Sequence, residues 1–276
     1  MSQITESDVK TEVGEWIDQN WDPELTVAQW WQLMADARLS HTMLSEEAGG
    51  RGWSRALNHV ALSVMADKGV LGPPTGLGMM LAAPTIATHG TDTQIREYIP
   101  KILNGQHAWC QLFSEPGAGS DLAGLQCKAE KDGDSYILNG TKRWITNANI
   151  ANLFTVFART DQSQKGSSGV SAFLVDANTP GISLSSKYKK MGQQGAHVCD
   201  VIFDNCRVPE ANIIGGPNNV NNGFKTAMKT LDRGRIHISA FAVGCAKRLI
   251  EISTQFSLER EQFGQSISNF QMIQAM

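Results

Sequence analysis

The sequence predicts an α+β multidomain protein with an N-terminal all-helical domain, a middle β-barrel domain and a second helical region at the end. Three observations predict this order. Apolar residues recur at helical spacing up to His107, short β-branched or alternating runs occupy the middle, and helical spacing returns at Phe224. A chain of 276 residues is long enough for two or three cores of this kind.

The predicted N-terminal domain covers residues 1–107. Apolar and aromatic residues at helical spacing predict two helices within residues 6–39, separated by a break at Trp21-Asp22-Pro23. Gly90 and the following Thr91-Asp92 are typical of a helix stop followed by an N-cap. The remaining helices of this domain are predicted over residues 57–70, 76–89 and 93–103.

The predicted middle domain covers residues 108–217. Its runs are short, and Asp132-Gly133, Asn139-Gly140 and Thr179-Pro180-Gly181 separate them as turn signals. Such spacing is typical of a barrel or closed sandwich. The strands are predicted over residues 109–114, 125–130, 135–146, 152–159, 170–176, 182–188 and 198–203.

The last predicted domain covers residues 218–276. A polar run over 217–223 precedes a helical pattern over 224–256. Residues 269–276 then predict the opening of another amphipathic helix, with no cap or glycine to end it.

Composition excludes several classes of function. The 24 Lys and Arg against 27 Asp and Glu leave no basic stripe for a nucleic acid. No apolar run is long enough for a membrane span and no leader pattern opens the chain, so we expect a cytoplasmic protein without a membrane partner. The five cysteines and six histidines are scattered, which predicts reduced thiols and no metal site.

A glycine-rich bend is the first candidate site. An apolar run ending at Phe113 breaks into Pro116, Gly117 and Gly119, where backbone N–H groups can turn outward. Amides beside the hydroxyls of Ser114 and Ser120 suit a phosphate or the polar edge of a heterocycle. The alternative is that this segment is only a turn.

The second candidate is Trp144-Ile145-Thr146. An indole beside a small hydroxyl residue offers a flat wall and a donor, as a flat redox-active ring requires. The alternative is that Trp144 packs in the core.

The order of these fragments resembles the flavin-binding middle domain of the acyl-CoA dehydrogenase family. The resemblance rests on Ser114–Asp121, Asn139–Lys142 and Trp144–Asn147, and is close from Trp109 to the last residue. The family's middle domain is a β-barrel, and its last helices form a four-helix bundle, of which this chain would contain the start. Further matching motifs are Lys190-Met191-Gly192, Phe203-Asp204, Val208-Pro209, Asn222-Gly223-Phe224, Leu231-Asp232, Arg235 and Glu259–Gly264.

The resemblance implies FAD as cofactor. Ser114 would donate toward the pyrimidine edge of the flavin, Trp144 would flank the ring and Thr146 would lie at N5. Arg260 matches a position that reaches the flavin of a neighbouring subunit, which implies a homo- or hetero-oligomer, a dimer or tetramer; the alternative is a helix-end Arg at a Phe-Gly turn. The full implied set is Gln111, Phe113, Ser114, Gly119, Ser120, Trp144, Ile145, Thr146, Arg260, Gln262, Phe263 and Gln271.

The resemblance also implies an acyl-CoA substrate. Ser120 would face both the flavin and the pantetheine arm, and Asp232 and Arg235 match the family's contact with acyl-CoA. The alternative for this last pair is an ion pair on a helix surface. Gln194-Gly195-Ala196 departs from the family's Arg-x-Ser, which puts some contacts with the CoA phosphates in doubt.

No residue can be assigned as the catalytic base. Most family members place a Glu in a late helical region that this chain does not contain, and a minority branch places it at the position of Gly234. Glu115 is interpreted as structural. We therefore expect a C-terminally truncated fragment, or the product of an interrupted gene, that is inactive alone.

The implied reaction is α,β-dehydrogenation of an acyl-CoA to a 2,3-enoyl-CoA, with electrons passed to an electron-transferring flavoprotein. One alternative is a non-catalytic subunit of a heteromeric dehydrogenase. Another is an acyl-CoA oxidase or flavin monooxygenase of the same fold.

Overall fold

The computed structural model describes residues 4–276, without the side chain of Arg233. The chain divides into two compact units, one ending at Thr230 and one covering Leu231–Met276. Its element order runs from helices through strands to helices, so the predicted fold class is confirmed. The domain boundaries after residues 107 and 217 stay predictions.

Five α-helices form the first part of the larger unit. Threonine side chains cap three of them in complete capping boxes, at Thr5, Thr26 and Thr91, which explains where α1, α2 and α5 begin. The apolar faces of the first three helices share a core around Trp30 and Met34, both fully buried. The helices are α1 (Glu6–Asn20), α2 (Val27–Asp36), α3 (Arg55–Asp67), α4 (Ala83–His89) and α5 (Asp92–Leu103).

The helix predicted over residues 76–89 is not one regular α-helix. Its first part, Gly78–Ala82, is a π-helical turn that leads into α4. A Cβ on Gly78 would lie 3.2 Å from Cγ2 of Ile102 and 3.4 Å from Cβ of Trp109. Because glycine has no side chain, this wide turn can pack closely against α5 and the first strand.

Seven strands follow and form one sheet. β1 pairs in parallel with β4, β2–β3–β7–β6 are antiparallel neighbours, and β5 pairs with the other edge of β4. The two end strands of this order, β1 and β6, do not pair with each other in the described chain. The sheet is therefore a curled half-barrel and not a closed barrel. The strands are β1 (Trp109–Leu112), β2 (Lys128–Asp132), β3 (Ser135–Thr146), β4 (Leu153–Arg159), β5 (Val170–Asp176), β6 (Ile182–Leu184) and β7 (Val198–Pro209).

Five strands differ from their predicted boundaries. β1 ends at Leu112 instead of residue 114, β4 begins at Leu153 instead of residue 152, and β6 ends at Leu184 instead of residue 188. β2 begins at Lys128 instead of residue 125, because the preceding N–H groups of Gln126 and Cys127 donate to the carboxylate of Glu115. β7 reaches Pro209 because it pairs with β3 along most of its length.

Gln94 joins the helices to the sheet within the larger unit. Its side chain is 4 % exposed and donates to the carbonyl oxygens of Ala211 and Ile213, at 2.9 and 2.7 Å. Its Oε1 accepts from the N–H groups of Thr91 and Gly215, at 3.1 and 3.0 Å. All four hydrogen-bonding positions of the amide are used, so Gln94 fixes α5 on the segment that follows β7.

A 37-residue helix, α6 (Gly223–Glu259), begins in the larger unit and continues into the second. A small hairpin follows, with strands β8 (Glu261–Gln262) and β9 (Gln265–Ser266), and then α7 (Gln271–Ala275). Phe263 and Gly264 both have positive φ, 55° and 77°, as a two-residue hairpin turn of the I′ type requires. Within the part of the chain that the structure describes, no helix is long and apolar enough to cross a membrane.

Candidate functional site

The glycine-rich bend is a tight turn after β1. Glu115 and Ala118 exchange backbone hydrogen bonds of 2.8 and 3.1 Å across Pro116-Gly117. Gly117, Gly119 and Ser120 are exposed. A Cβ on Gly117 or Gly119 would meet no atom of the described chain within 4 Å, and neither glycine has positive φ. Side chains would fit at Gly117 and Gly119. Because glycine has none, the space above the backbone amides of the bend stays open.

A buried ion pair fixes this bend. The carboxylate of Glu115 accepts from Lys142 Nζ at 2.8 Å and from the N–H groups of Gln126 and Cys127, at 2.6 and 3.0 Å. Lys142 is fully buried and also donates to the carbonyl oxygen of Phe113, at 3.1 Å. The structural interpretation of Glu115 agrees with these contacts, since its carboxylate serves as the anchor of the bend.

β3 lies directly beside the bend. The N–H of Arg143 donates to the carbonyl oxygen of Ser114 at 2.8 Å. The register of β3 against β7 shifts between Lys142 and Ile145, so Arg143 and Trp144 form a β-bulge. Ser114 and Trp144, 30 positions apart in sequence, are thereby brought to one edge of the sheet.

The indole of Trp144 faces solvent, so the alternative that it packs in the core is wrong. Trp144 is 57 % exposed and has a φ of 61°. A bulky residue in the left-handed region is a rare, strained conformation that surrounding contacts must hold in place. The exposed flat ring beside the open bend is available to a ligand.

The neighbours of Trp144 differ in what they can offer. The side chain of Ile145 is 2 % exposed in the core, which leaves only its backbone for a ligand. Thr146 is half-buried, and its carbonyl oxygen accepts from Cys110 Sγ at 2.9 Å. Burial raises the pKa of the Cys110 thiol to about 12, so the thiol stays protonated and can donate this bond.

Gln111 carries a buried carboxamide with nothing to bond. The residue is 8 % exposed, yet neither Nε2 nor Oε1 has a hydrogen-bond partner among the described residues. The Oδ1 atoms of Asn147 and Asn149, which follow β3, are also buried and without partners in the described chain. Buried polar atoms are normally satisfied, so these groups are free to bind a polar ligand. Phe113 packs against Phe157, with ring centroids 4.5 Å apart.

The second unit holds the other predicted cofactor residues. These four residues are all exposed: Arg260 lies between α6 and β8, Gln262 and Phe263 lie on the β8–β9 hairpin, and Gln271 begins α7. Phe263 is 93 % exposed at the hairpin turn and meets the ring of Phe270 edge to face, at 6.1 Å.

The predicted substrate residues of the second unit lie on α6. Arg235 Nη1 is 3.1 Å from Asp232 Oδ1, with both side chains at least 70 % exposed, so the ion pair that the sequence left as an alternative is present. Gly234 lies between them on the same helix.

Sequence reasoning missed two features of the larger unit. Asp200 on β7 contacts Arg143, Trp144 and Tyr188 at the bulge, and no motif marks it. A polar cavity of about 420 Å³ lies beside the connection between β4 and β5, and the predicted site residues are not among its lining. Its walls are Asp161, Gln164, Ser167, Ser168, Gly169, Asn221, Asn222, Phe224 and Lys225.

Comparison with known protein families covers nearly the whole chain. A profile described as the acyl-CoA dehydrogenase N-terminal domain matches residues 1–106, and the middle-domain profile matches residues 110–206. The profile of the family's C-terminal domain matches residues 221–276. The chain belongs to the acyl-CoA dehydrogenase family.

Curated relatives are dehydrogenases of this family. The chain is 34 % identical over 245 residues to a mitochondrial isovaleryl-CoA dehydrogenase of Oryza sativa subsp. japonica, covering 88 % of this chain and 59 % of the relative. It is 38 % identical over 234 residues to a short-chain specific acyl-CoA dehydrogenase of Rattus norvegicus, covering 83 % of this chain and 55 % of the relative. The chain thus spans somewhat more than half the length of the curated relatives it matches.

Solved structures of the acyl-CoA dehydrogenase fold align with the chain along its whole length. A chain from a structure of the electron-transferring flavoprotein of Acidaminococcus fermentans is 32 % identical, with a TM-score of 0.76, covering 100 % of this chain and 74 % of that one. The prolyl acyl carrier protein oxidase AnaB is 28 % identical, with a TM-score of 0.75 and coverages of 100 % and 75 %. A Mycobacterium smegmatis glutaryl-CoA dehydrogenase in complex with FADH2 is 25 % identical, with a TM-score of 0.71 and coverages of 98 % and 69 %.

The residues of this chain fit the family's cofactor, which is FAD. The open space above Gly117 and Gly119, the exposed indole of Trp144 and the unpaired amide of Gln111 provide a cradle, a flat wall and a polar contact. These are the features that a planar heterocycle with a polar edge needs.

Proposed function

We propose that the protein binds FAD at the edge of the half-barrel, and that the complete protein dehydrogenates an acyl-CoA thioester to a 2,3-enoyl-CoA. The observation that carries this proposal is the exposed, strained Trp144 beside an open glycine bend, with the unpaired carboxamide of Gln111 on the strand that enters that bend. The names of the curated relatives support the acyl-CoA substrate class.

The bound cofactor supplies a hydride acceptor, and the chain supplies its binding site. Ser114, Gly119 and Ser120 offer hydroxyl and amide donors to the polar edge of the ring, since such donors hold an anionic or polar group without further charge. Trp144 covers one face of the ring and excludes water from it. Thr146, the last residue of β3, offers a hydroxyl and a backbone amide two positions after Trp144. Gln111, Phe113 and Ile145 complete this part of the site.

The acyl-CoA contacts are proposed from the same edge and from α6. Ser120 is exposed at the end of the bend, where one hydroxyl can serve cofactor and substrate. Asp232 and Arg235 form an exposed ion pair that a polar part of acyl-CoA can displace at little cost, because such pairs contribute at most about 1 kcal/mol.

Neither candidate position for the base that removes the α-proton is suitable. Gly234 has no side chain, and the carboxylate of Glu115 already accepts from Lys142, Gln126 and Cys127. Both oxygens of this carboxylate are therefore engaged in holding the bend after β1. The base is therefore not assigned to this chain.

The oligomer and the electron acceptor belong to the same proposal. Arg260, Gln262, Phe263 and Gln271 are exposed and would bind the flavin of a neighbouring subunit, which makes the assembly a homo- or hetero-oligomer. The likeness to a chain from an electron-transferring flavoprotein structure supports that class of acceptor. The proposal also includes a cytoplasmic location. The five free cysteines of the described residues support it, because thiols stay reduced in that compartment.

The test is anaerobic titration of the complete protein, purified and loaded with FAD, with acyl-CoAs of different chain length, following the flavin absorbance. Bleaching by at least one acyl-CoA is the expected result. A protein that takes up no FAD contradicts the proposal entirely. Uptake of FAD without bleaching instead supports a non-catalytic subunit, which the unassigned base favours. Rapid reoxidation by oxygen would support an oxidase, as in the prolyl acyl carrier protein oxidase relative.

A further inference from the structure

Trp144 needs an explanation beyond its place in the sequence motif. Its backbone lies in the left-handed region at a β-bulge, and its ring is 57 % exposed. Packing in the core therefore does not offset the energetic cost of the positive φ of Trp144. A specific set of polar contacts must hold the residue in this conformation.

Asp200 supplies those contacts from the opposite strand. It is 6 % exposed, and its Oδ2 accepts from Arg143 Nε and Nη2, at 3.2 and 3.0 Å. Its Oδ1 accepts from the backbone N–H of Trp144 at 3.4 Å. One carboxylate thus contacts both residues of the bulge.

The same carboxylate fixes the ring that packs on the indole. The hydroxyl of Tyr188 donates to Asp200 Oδ2 at 3.0 Å, and the ring centroids of Tyr188 and Trp144 are 4.4 Å apart. The N–H of Tyr188 donates to the carbonyl oxygen of Val198 at 2.9 Å, which ties Tyr188 to β7. Tyr188 is consequently a rigid support behind Trp144.

We propose that Asp200 is a positioning residue of the flavin site, holding Trp144 at the bulge and Tyr188 behind it so that the indole forms a fixed wall for the ring. This inference rests on the proposed function, since it assigns the wall to FAD. In this assignment Asp200 acts on FAD binding through Trp144.

The charge state of Asp200 agrees with this role. Burial alone raises the pKa of the carboxyl, but hydrogen bonds from Arg143, Tyr188 and the N–H of Trp144 outweigh it, and the pKa lies below its ordinary value. The group is therefore ionised at neutral pH and accepts every bond that the bulge offers. A merely structural ion pair would need only Arg143; the contacts with Trp144 and Tyr188 point to the wall.

The experiment is a double-mutant cycle on FAD affinity, with flavin fluorescence as a second readout. Asp200→Asn should weaken FAD binding roughly tenfold, because charge-assisted hydrogen bonds to the bulge are lost. It should also reduce the quenching of bound flavin by the indole. In a Trp144→Ala background, Asp200→Asn should have no further effect on affinity. Asp204→Asn, an exposed carboxylate on the same strand, is the matched control and should bind FAD normally.

The outcomes separate the inference from the function on which it rests. An unsubstituted protein without FAD affinity contradicts the proposed function. If Asp200→Asn weakens FAD binding equally in the unsubstituted and the Trp144→Ala backgrounds, the inference is overturned and the proposed function is unaffected. If Asp200→Asn does not fold, Tyr188→Phe decides: it removes one bond to the carboxylate and keeps the ring. Tyr188→Phe should weaken FAD binding when Trp144 is present and should have no further effect in the Trp144→Ala background. The inference is overturned if Tyr188→Phe does not weaken binding, or if it weakens binding equally in both backgrounds.

Discussion

Lys142 and Glu115 form a buried ion pair, with Nζ and Oε1 2.8 Å apart. The pair joins the centre of β3 to the bend after β1, so it fixes the distance between the two halves of the proposed flavin site. At this buried position water cannot replace either partner. The order of the bend therefore depends on the ion pair.

Substituting Lys142 by Met should destabilise the protein by about 3 kcal/mol or more, because the Glu115 charge would stay buried without its cation. Urea unfolding followed by circular dichroism measures this change. Lys131→Met is the matched control: Lys131 pairs with Glu210 at 2.5 Å, but its side chain is 47 % exposed, and we expect a loss under about 1 kcal/mol. Equal losses for the two variants would contradict a special role for the buried pair.

Gly119→Val should abolish FAD binding and leave the fold intact. The added side chain enters space that the described chain does not fill, so it competes with the ligand and not with the protein. Gly72→Val is the control, since a Cβ there also meets no described atom within 4 Å and φ is not positive. Flavin absorbance after gel filtration reports binding, and thermal unfolding reports the fold. A Gly119→Val protein that retains FAD would show that the bend is only a turn.

Gln94→Leu should destabilise the larger unit by about 2–4 kcal/mol. The substitution leaves the carbonyl oxygens of Ala211 and Ile213 and the N–H of Gly215 without their partner and beside an apolar side chain. Gln29→Leu removes a comparable amide from the exposed capping box of α2 and should cost less than about 1 kcal/mol. Chemical denaturation of both variants gives the comparison. A small effect at Gln94 would mean that water replaces its bonds.

The thiols should differ sharply in reactivity. Cys245 is exposed, whereas the other four are buried. Burial raises the pKa of Cys110 to about 12 and those of Cys127 and Cys206 to about 11. A chromogenic disulfide reagent at pH 8 should therefore modify one thiol quickly in the native protein and all five after unfolding. Rapid reaction of a second thiol would contradict the burial of these residues.

The same shifts predict loss of stability at alkaline pH. An unfolded cysteine loses its proton near its ordinary pKa of 9.0, whereas Cys110 keeps its proton to about 12 in the native state. Between these values the native state binds more protons, so the free energy of unfolding falls as pH rises, by about 1.4 kcal/mol per pH unit for such a thiol. Denaturation from pH 8 to 10.5 measures the slope. Replacing Cys110 by Ala should reduce it.

Local patterns gave the elements well. β3 and β5 begin and end at the predicted residues, and the helix starts follow threonine caps that are visible in the sequence. These features depend on residues within a few positions of one another, which periodicity and capping rules describe directly. The π-helical turn at Gly78–Ala82 was not predicted by local periodicity; Gly78 packs closely against Ile102 and Trp109, which lie on other elements.

By itself, the sequence determined the family, the order of helices and strands, and the two fragments around Ser114 and Trp144 that meet at the candidate site. Only the tertiary structure decided that Trp144 faces outward, that Gln111 is buried with nothing to bond, and that Asp200 contacts the bulge from 56 positions away. Exposure, unmet hydrogen bonds and strain depend on which distant strands pack together. A linear pattern carries the chemistry of each residue but not the neighbours that the fold gives it.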